Sequence, residues 1–408
     1  MLLRVRPYIV AVVTMLTLSS CLGSSHPKTK QSSTKTPSTT TTAPSSTTTT
    51  ILHRLAAPSG FEPASVSFVS QSDGFVLGTA KSCATTSCAF IVTTTNNGAT
   101  WQQMPPPPVP YVSRPHASTT SSGISQIRFA NIDNGWAFGP SLYATHNSGA
   151  SWQKVQVPVP GKVVTLATAG GKVFAVVANC NPQTNTCSSS LVTSSISSNS
   201  FTQVPGATNI AASVQLWNGF PITLYATPNG VNGFVSLGYQ GNYASGKPLL
   251  YATNGGGTWS RFPDPCAGTN LQIASLAMPN AATLDTLCSG QPAAGSTKKV
   301  LMQTYHSQTR RLGNPPFSGD GNLQLASPNT SRIVIAGASA AGFIYRSTNN
   351  GQSWKTYLYQ DGGVSFYDFG FTTPTQGVAI HGFPANHAVD NLIESTNGGA
   401  SWHTVPIP

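Results

Sequence analysis

Ten acidic side chains make up all the carboxylate chemistry of this chain. Five of them stand in turn contexts, where an Asp side chain caps nearby backbone amides: Asp73 in Ser-Asp-Gly, Asp133 in Asp-Asn-Gly, Asp264 between prolines, Asp320 in Gly-Asp-Gly and Asp361 in Asp-Gly-Gly. That leaves Glu62, Asp285, Asp368, Asp390 and Glu394 as candidate acids, bases or nucleophiles. Glycoside hydrolysis needs two carboxylates about 5–9.5 Å apart. Asp368, in Tyr367-Asp368-Phe369, is the candidate for a central channel, and one carboxylate is not such a pair. The expectation is therefore a chain with no catalytic residue. A glycoside hydrolase with a degenerate or unrecognised active site is the alternative.

The thiols point to structure rather than reactivity. Seven cysteines occur, and setting Cys21 aside leaves six. An even set in an oxidising compartment pairs. Cys83 and Cys88 are five apart and Cys180 and Cys187 seven apart, which a short hairpin connection can bring to disulfide distance. Cys266 and Cys288 pair by elimination. No CxxC, HxxxH or HExxH spacing is present, so neither a metal site nor a cofactor is expected.

The amino terminus explains the compartment. Arg4 and Arg6 precede an apolar run over residues 8–18, too short for a membrane span of about 20 residues but suited to a secretory signal. Leu18-Ser19-Ser20-Cys21 resembles a bacterial lipobox, which implies lipid attachment at Cys21. In residues 31–50, 15 of 20 are Ser or Thr. Such a segment has nothing to bury and stays solvated. The expected organisation is a lipoprotein signal at 1–20, a Ser/Thr-rich linker at 21–52 and one domain at 53–408. It places the chain on the outer face of a bacterial cell membrane.

Composition sets the class of that domain. Charged residues are 8% of the chain, against about 25% in ordinary soluble domains, while Gly (38) and Pro (31) are abundant. Few Glu and Lys with many Gly, Ser, Thr and Asn exclude a helical protein. Of the 21 basic residues, Arg4, Arg6, Lys28, Lys30, Lys35 and Arg54 lie at or before position 54, leaving 15 against 10 acids beyond it. No basic run capable of tracking phosphates remains, so a nucleic-acid partner is not expected.

Five segments share one pattern. Each has Asn five residues and Gly three residues before a Trp: Asn96, Gly98, Trp101; Asn147, Gly149, Trp152; Asn254, Gly256, Trp259; Asn349, Gly351, Trp354; and Asn397, Gly399, Trp402. Five of the seven tryptophans obey this frame. Asn caps a turn, Gly supplies positive φ and Trp buries a large ring, so each segment reads as a hairpin turn between two strands. A second ladder precedes them, an apolar residue six before a small one: Phe68/Gly74, Phe129/Gly135, Leu325/Ser331 and Phe371/Gly377. An alternating strand follows each pair, so every unit holds four strands.

The turn pattern resembles the Asp-box of bacterial neuraminidase repeats, S/T-x-D-x-G-x-x-W, with Asn in place of Asp. The segment Phe129, Gly135, Trp136, Ala137, Gly139 is similar to a signature of propellers related to photosystem II stability/assembly factors. These resemblances imply an all-β propeller of the sialidase-like superfamily, with four antiparallel strands per blade. They imply a scaffold, monomeric and membrane-anchored through Cys21, that binds a protein, peptide or glycan. Sialidases add clustered arginines to their carboxylates, whereas Arg114, Arg128, Arg261, Arg310, Arg311, Arg332 and Arg346 are dispersed along this sequence.

The intervals from Trp152 to Trp259 and from Trp259 to Trp354 are each twice the usual spacing. The first holds a degraded turn ending at Phe201. The second holds Leu276/Ala282 as a ladder pair and a third strand over 300–305. Seven blades of about 51 residues result. The connection over 104–123, with four consecutive prolines, Arg114 and His116, reads as a stiff spacer between blades and alternatively as a recognition loop. Arg310-Arg311 reads as a possible basic contact.

Overall fold

In the computed structural model, residues 55–83, 88–114, 122–181, 183, 186–208, 210–213, 222–227, 230–236, 250–362, 364–382 and 391–408 are described. All lie in the second of the chain's two units, Leu52–Pro408. The signal, Cys21, the Ser/Thr linker, His116 and Asp390 fall outside the described residues.

Among the described residues every element is a strand, and within each sheet consecutive strands pair. Sheet 1 is β1 (Phe61–Phe68), β2 (Gly74–Ala80), β3 (Phe90–Thr94) and β4 (Gln102–Met104). Sheet 2 is β5 (Gln126–Phe129), β6 (Gly135–Phe138), β7 (Leu142–Thr145) and β8 (Gln153–Lys154). Sheet 3 is β9 (Lys162–Ala169), β10 (Lys172–Asn181), β11 (Thr186–Ser195) and β12 (Thr202–Gln203), with β13 (Ile210–Ser213) also on β11. Sheet 4 is β14 (Ile222–Thr227), β15 (Gly230–Ser236), β16 (Leu250–Asn254) and β17 (Thr258–Arg261). Sheet 5 is β18 (Gln272–Asn280), β19 (Thr283–Ser289), β20 (Lys299–Tyr305) and β21 (Gln308–Gly313). Sheet 6 is β22 (Gly321–Ala326), β23 (Ile333–Ala338), β24 (Ala341–Ser347) and β25 (Lys355–Asp361). Sheet 7 is β26 (Ser365–Phe371), β27 (Gly377–Gly382), β28 (Asn391–Ser395) and β29 (His403–Val405).

All pairings between these strands are antiparallel, and the first strands lie side by side in chain order, with β26 returning to β1. This is a β-propeller. The first and last sheets are each built from consecutive strands, so no strand is shared between them. Apolar residues fill the seams. Phe174, Val176 and Leu191 of sheet 3 meet Val231, Val235 and Trp259 of sheet 4, and Ala336 and Ile344 of sheet 6 meet Phe366 and Ala379 of sheet 7.

The Asn–Gly–Trp turns close the third and fourth strands as the sequence predicts, and their hydrogen bonds repeat. Asn96 Oδ1 accepts the Thr100 amide at 2.9 Å and the Thr94 hydroxyl at 2.9 Å, and Thr94 Oγ1 accepts the Gly98 amide at 2.9 Å. The Asn147, Asn349 and Asn397 turns reproduce the set. In each of these four, Asn Nδ2 also donates to the hydroxyl four residues on, Thr100, Ser151, Ser353 or Ser401, at 2.8–2.9 Å. That extra bond uses the donor an Asp lacks. The turn Gly has φ between 74° and 85° in all five, a conformation costly for any Cβ.

The tryptophan side chains do not pack on their own sheet alone. Each wedges into the seam with the preceding sheet. Trp101 joins Val378 and Val405 of sheet 7, Trp259 joins Phe174 of sheet 3, and Trp354 joins Leu301 of sheet 5. The reason is the turn itself, which folds back at the open edge between two sheets. One backbone hydrogen bond then ties each of four turns to its own first hairpin: Asn97 N to Ser72 O, Ser148 N to Asp133 O, Asn350 N to Ser331 O and Gly398 N to Thr375 O, at 2.7–3.2 Å.

Three disulfides form, Cys83–Cys88, Cys180–Cys187 and Cys266–Cys288. Cys180 and Cys187 are not in a loop. They sit opposite each other on β10 and β11, which extend further than a loop assignment allowed. Above sheet 5, the buried Lys299 ammonium donates to the carbonyls of Pro316, Phe317 and Ser318 at 2.8–3.0 Å, matching three donors to three acceptors.

Two stability outcomes follow. Asn349→Ala removes the cap and is expected to cost about 1–2 kcal/mol in urea unfolding, whereas Asn349→Asp keeps the acceptor and stays within about 0.5 kcal/mol. In sheet 5 the third-to-fourth turn is a tight hairpin with His306 at φ 47° and Ser307 at φ 65°. Replacing them by Asn-Gly is expected to raise stability by about 0.5–1 kcal/mol, read as a higher urea midpoint.

Candidate functional site: a charged cluster at the hub

The first strands are hydrogen-bonded to one another through side chains. Ser65 and Ser67 of β1 accept the amides of Ile127 and Phe129 on β5 at 3.1 and 2.9 Å. Ser275 of β18 accepts Leu325 N at 3.0 Å, and Gln324 of β22 accepts Phe369 N at 3.0 Å. Asn322 and Gln324 also donate to the Phe366 carbonyl. Where β26 meets β1, the acceptor is a carboxylate: Asp368 Oδ2 takes Val66 N at 2.9 Å and the Ser65 hydroxyl at 2.5 Å.

Asp368 reaches that position because β26 is irregular between Tyr367 and Gly370, with Asp368 itself at φ 49°. Asp tolerates the left-handed region better than a bulky residue. Its carboxylate then meets two guanidiniums. Arg114, from the connection after β4, lies at 2.8 Å, and Arg128 of β5 at 3.6 Å. Arg114 also donates to Ala64 O at 3.1 Å and lies 5.2 Å over the Tyr367 ring. Burial pushes the Asp368 carboxyl up, but Arg114, Arg128, the Ser65 hydroxyl and the Val66 amide outweigh it and hold the pKa below its ordinary value.

The cluster therefore carries two cations on one anion. The Asp368 side chain is 4% exposed, while Arg114 and Arg128 are 21% and 29% exposed, and Arg114 Nε is buried without an acceptor. A carboxylate held ionised in this way accepts hydrogen bonds and serves poorly as a proton donor at neutral pH. The excess positive charge at the surface suits an anionic group of a partner.

Of the other described candidate acids, Asp285 and Glu394 are occupied elsewhere. Asp285, buried in the seam of sheets 5 and 6, accepts Gln303 at 2.9 Å and the Ser327 hydroxyl at 2.7 Å, and burial raises its pKa against those bonds and Arg310. Glu394 accepts Gln376 at 2.9 Å and Asn97 at 3.3 Å across sheets 7 and 1, with His403 at 3.5 Å. Glu62 lies on β1 opposite Thr79. Arg310 and Arg311 do not make one basic contact, because alternation sends them to opposite faces of β21, toward Gln303 and Asn314. Among the described residues no group of three or more His, Cys, Asp or Glu could hold a metal, and no helix is long and apolar enough to cross a membrane.

Sequence reading singled out Asp368 but missed its partners. Arg114 is 254 positions away and Ser65 is 303, and nothing local marks either as a partner. The connection that carries Arg114 packs on its own sheets: Val112 N bonds Ile124 O at 2.9 Å, and Pro105 O accepts Trp152 Nε1 at 2.8 Å. This segment also brings the Arg114 guanidinium to Asp368.

No protein-family model matches the sequence, and no curated protein matches it. Solved structures do share its fold. YCF48 bound to D1 peptide is 16% identical over 81% of this chain and 93% of that one, with a TM-score of 0.50. YCF48 from Cyanidioschyzon merolae is 12% identical over 84% and 98%, with a TM-score of 0.50. An oligogalacturonate lyase in complex with manganese is 11% identical over 85% and 90%, with a TM-score of 0.52. The likeness at these identities is one of fold.

Asp368→Asn is expected to destabilise the protein by about 3 kcal/mol at pH 7, since two arginines lose their counter-charge. The native pKa of Asp368 lies below the unfolded value of about 3.9, so its contribution is complete above that value and disappears as pH falls through the native one. The difference between wild type and Asp368→Asn in chemical unfolding should accordingly shrink from pH 5 to pH 2. A constant difference refutes this assignment.

Proposed function

We propose that this chain is a lipid-anchored, seven-bladed extracytoplasmic propeller that catalyses no reaction and binds a partner through its hub. The observation carrying the reading is the Arg114–Asp368–Arg128 cluster, two partly exposed guanidiniums sharing one buried carboxylate. Its surplus charge favours a peptide with an acidic side chain or free carboxyl terminus. A propeller of similar fold, YCF48, has been solved with a bound peptide, which shows that such a scaffold can present a peptide-binding surface. Seven sheets in sequence support the blade number. The three disulfides fit an oxidising compartment. The lipid at Cys21, the bacterial outer-face location and the monomeric state belong to the same reading and rest on the sequence.

Binding is tested with a library of peptides bearing free or amidated carboxyl termini, measured against wild type and Arg114→Gln. Free-carboxylate and acidic peptides are expected to bind, with affinity falling about tenfold in Arg114→Gln. Equal binding of neutral and acidic peptides refutes the hub as the site. Turnover of a fluorogenic glycoside panel that is lost in Asp368→Asn refutes the non-catalytic reading. Mass spectrometry of the mature protein is expected to show a diacylated Cys21 at its amino terminus.

A further inference from the structure

A second, independent cationic cluster lies at the turn rim between sheets 6 and 7. Arg332 precedes β23 and Arg346 lies on β24, and both converge on Gly398 in the last Asn–Gly–Trp turn. Arg346 Nε donates to Gly398 O at 2.9 Å. Arg332 Nη1 donates to Pro374 O at 2.7 Å and lies 2.2 Å from where a Cβ on Gly398 would stand. Gly398 has φ 70°, so glycine serves this contact twice, by conformation and by the space its missing side chain leaves. Arg346 is further fixed over the Tyr357 ring at 5.3 Å, and Lys355 stands directly across from it in the β24–β25 register.

Like charges gathered this way normally come with acids, and here they do not. Among the described residues neither guanidinium is paired with a carboxylate, while Arg332 Nε is buried with no acceptor. The described acids of sheet 7 are committed elsewhere, Asp368 to the hub and Glu394 to Gln376 and Asn97. Burial lowers the pKa of Arg332, and the nearby charge of Arg346 lowers it further. Backbone carbonyls alone supply only partial charge. A doubly charged, oxygen-rich ligand would satisfy the unused N–H donors and relieve the repulsion together.

We propose that Arg332 and Arg346, with Lys355 at the edge, form a binding site for a phosphate group, free or as an ester on a larger molecule. The site uses no residue of the hub cluster and stands or falls separately from it.

Isothermal titration with inorganic phosphate, at ionic strength held constant with chloride, tests it on the intact domain. Saturable millimolar binding is expected, weakened about tenfold in Arg346→Gln, whose amide can still donate to Gly398 O, and about two- to threefold in Lys355→Gln. Thermal melts without phosphate check that each variant folds. Lys355→Gln, on an exposed side chain, keeps the test decisive if the arginine variants do not fold. A glycerol phosphate monoester and a phosphodiester are run as further arms. Preference for the diester assigns a polymer or lipid source, and preference for the monoester or inorganic phosphate assigns a soluble one. Heat no greater than with chloride, or binding unchanged in both Lys355→Gln and Arg346→Gln, overturns the proposal and leaves the arginines as links between sheets.

Discussion

The structure depends on one constraint, that the inner edges of neighbouring sheets have amides to satisfy and no strand to pair with. Backbone N–H groups left bare in a packed seam cost about as much as a lost hydrogen bond each. Here side chains supply the acceptors. Ser65, Ser67, Ser275 and Gln324 each serve an amide on the next first strand. Asp368 does the same for Val66, where the last sheet returns to the first. A neutral hydroxyl asks nothing more of its surroundings, but a buried carboxylate demands counter-charge. Arg114 and Arg128 are thus consequences of closing the ring with an acid, and the hub's surplus charge follows from the same choice.

A chain with so few charges places several of them where sheets meet. Asp285, Asp368 and Glu394 each bridge elements from different sheets, and Arg332 and Arg346 reach from sheet 6 to sheet 7. Between these points the seams are apolar, wedged by tryptophans from the turns. The turns themselves need neither charge nor metal. In four of the five, an amide that accepts and donates at once, with a hydroxyl on either side, closes the loop.

Much of this was legible locally. The five Asn–Gly–Trp frames, the apolar-to-small ladder and the cysteine spacings encode turns and strands within about ten residues, and the strands fall where those frames put them. The third strand, read as 300–305 and found at Lys299–Tyr305, and the turn before Phe201 were readable even in degraded units. What could not be read was whatever joins distant sheets. Nothing near Arg114 names Asp368, and nothing near Arg332 names Gly398. The Ser or Thr four residues after each turn Asn was visible, and it was the signal for the amide-to-hydroxyl bond. The extent of β10 and β11 escaped because Cys180 and Cys187 look like loop cysteines by spacing, although they are registered partners.

Sharing no strand between the first and last sheets has a further meaning for how the chain is threaded. The amide of Phe61 and the carbonyl of Pro408 come within 3.4 Å, so the two ends of the domain meet at the seam where the circle joins. Each sheet is a four-stranded meander, with β13 added to β11 in sheet 3, and no strand is shared between sheets. The order of blades along the gene is therefore a matter of bookkeeping rather than of geometry. Moving the break to another connection between sheets leaves each hairpin, turn and wedge with the neighbours it already has.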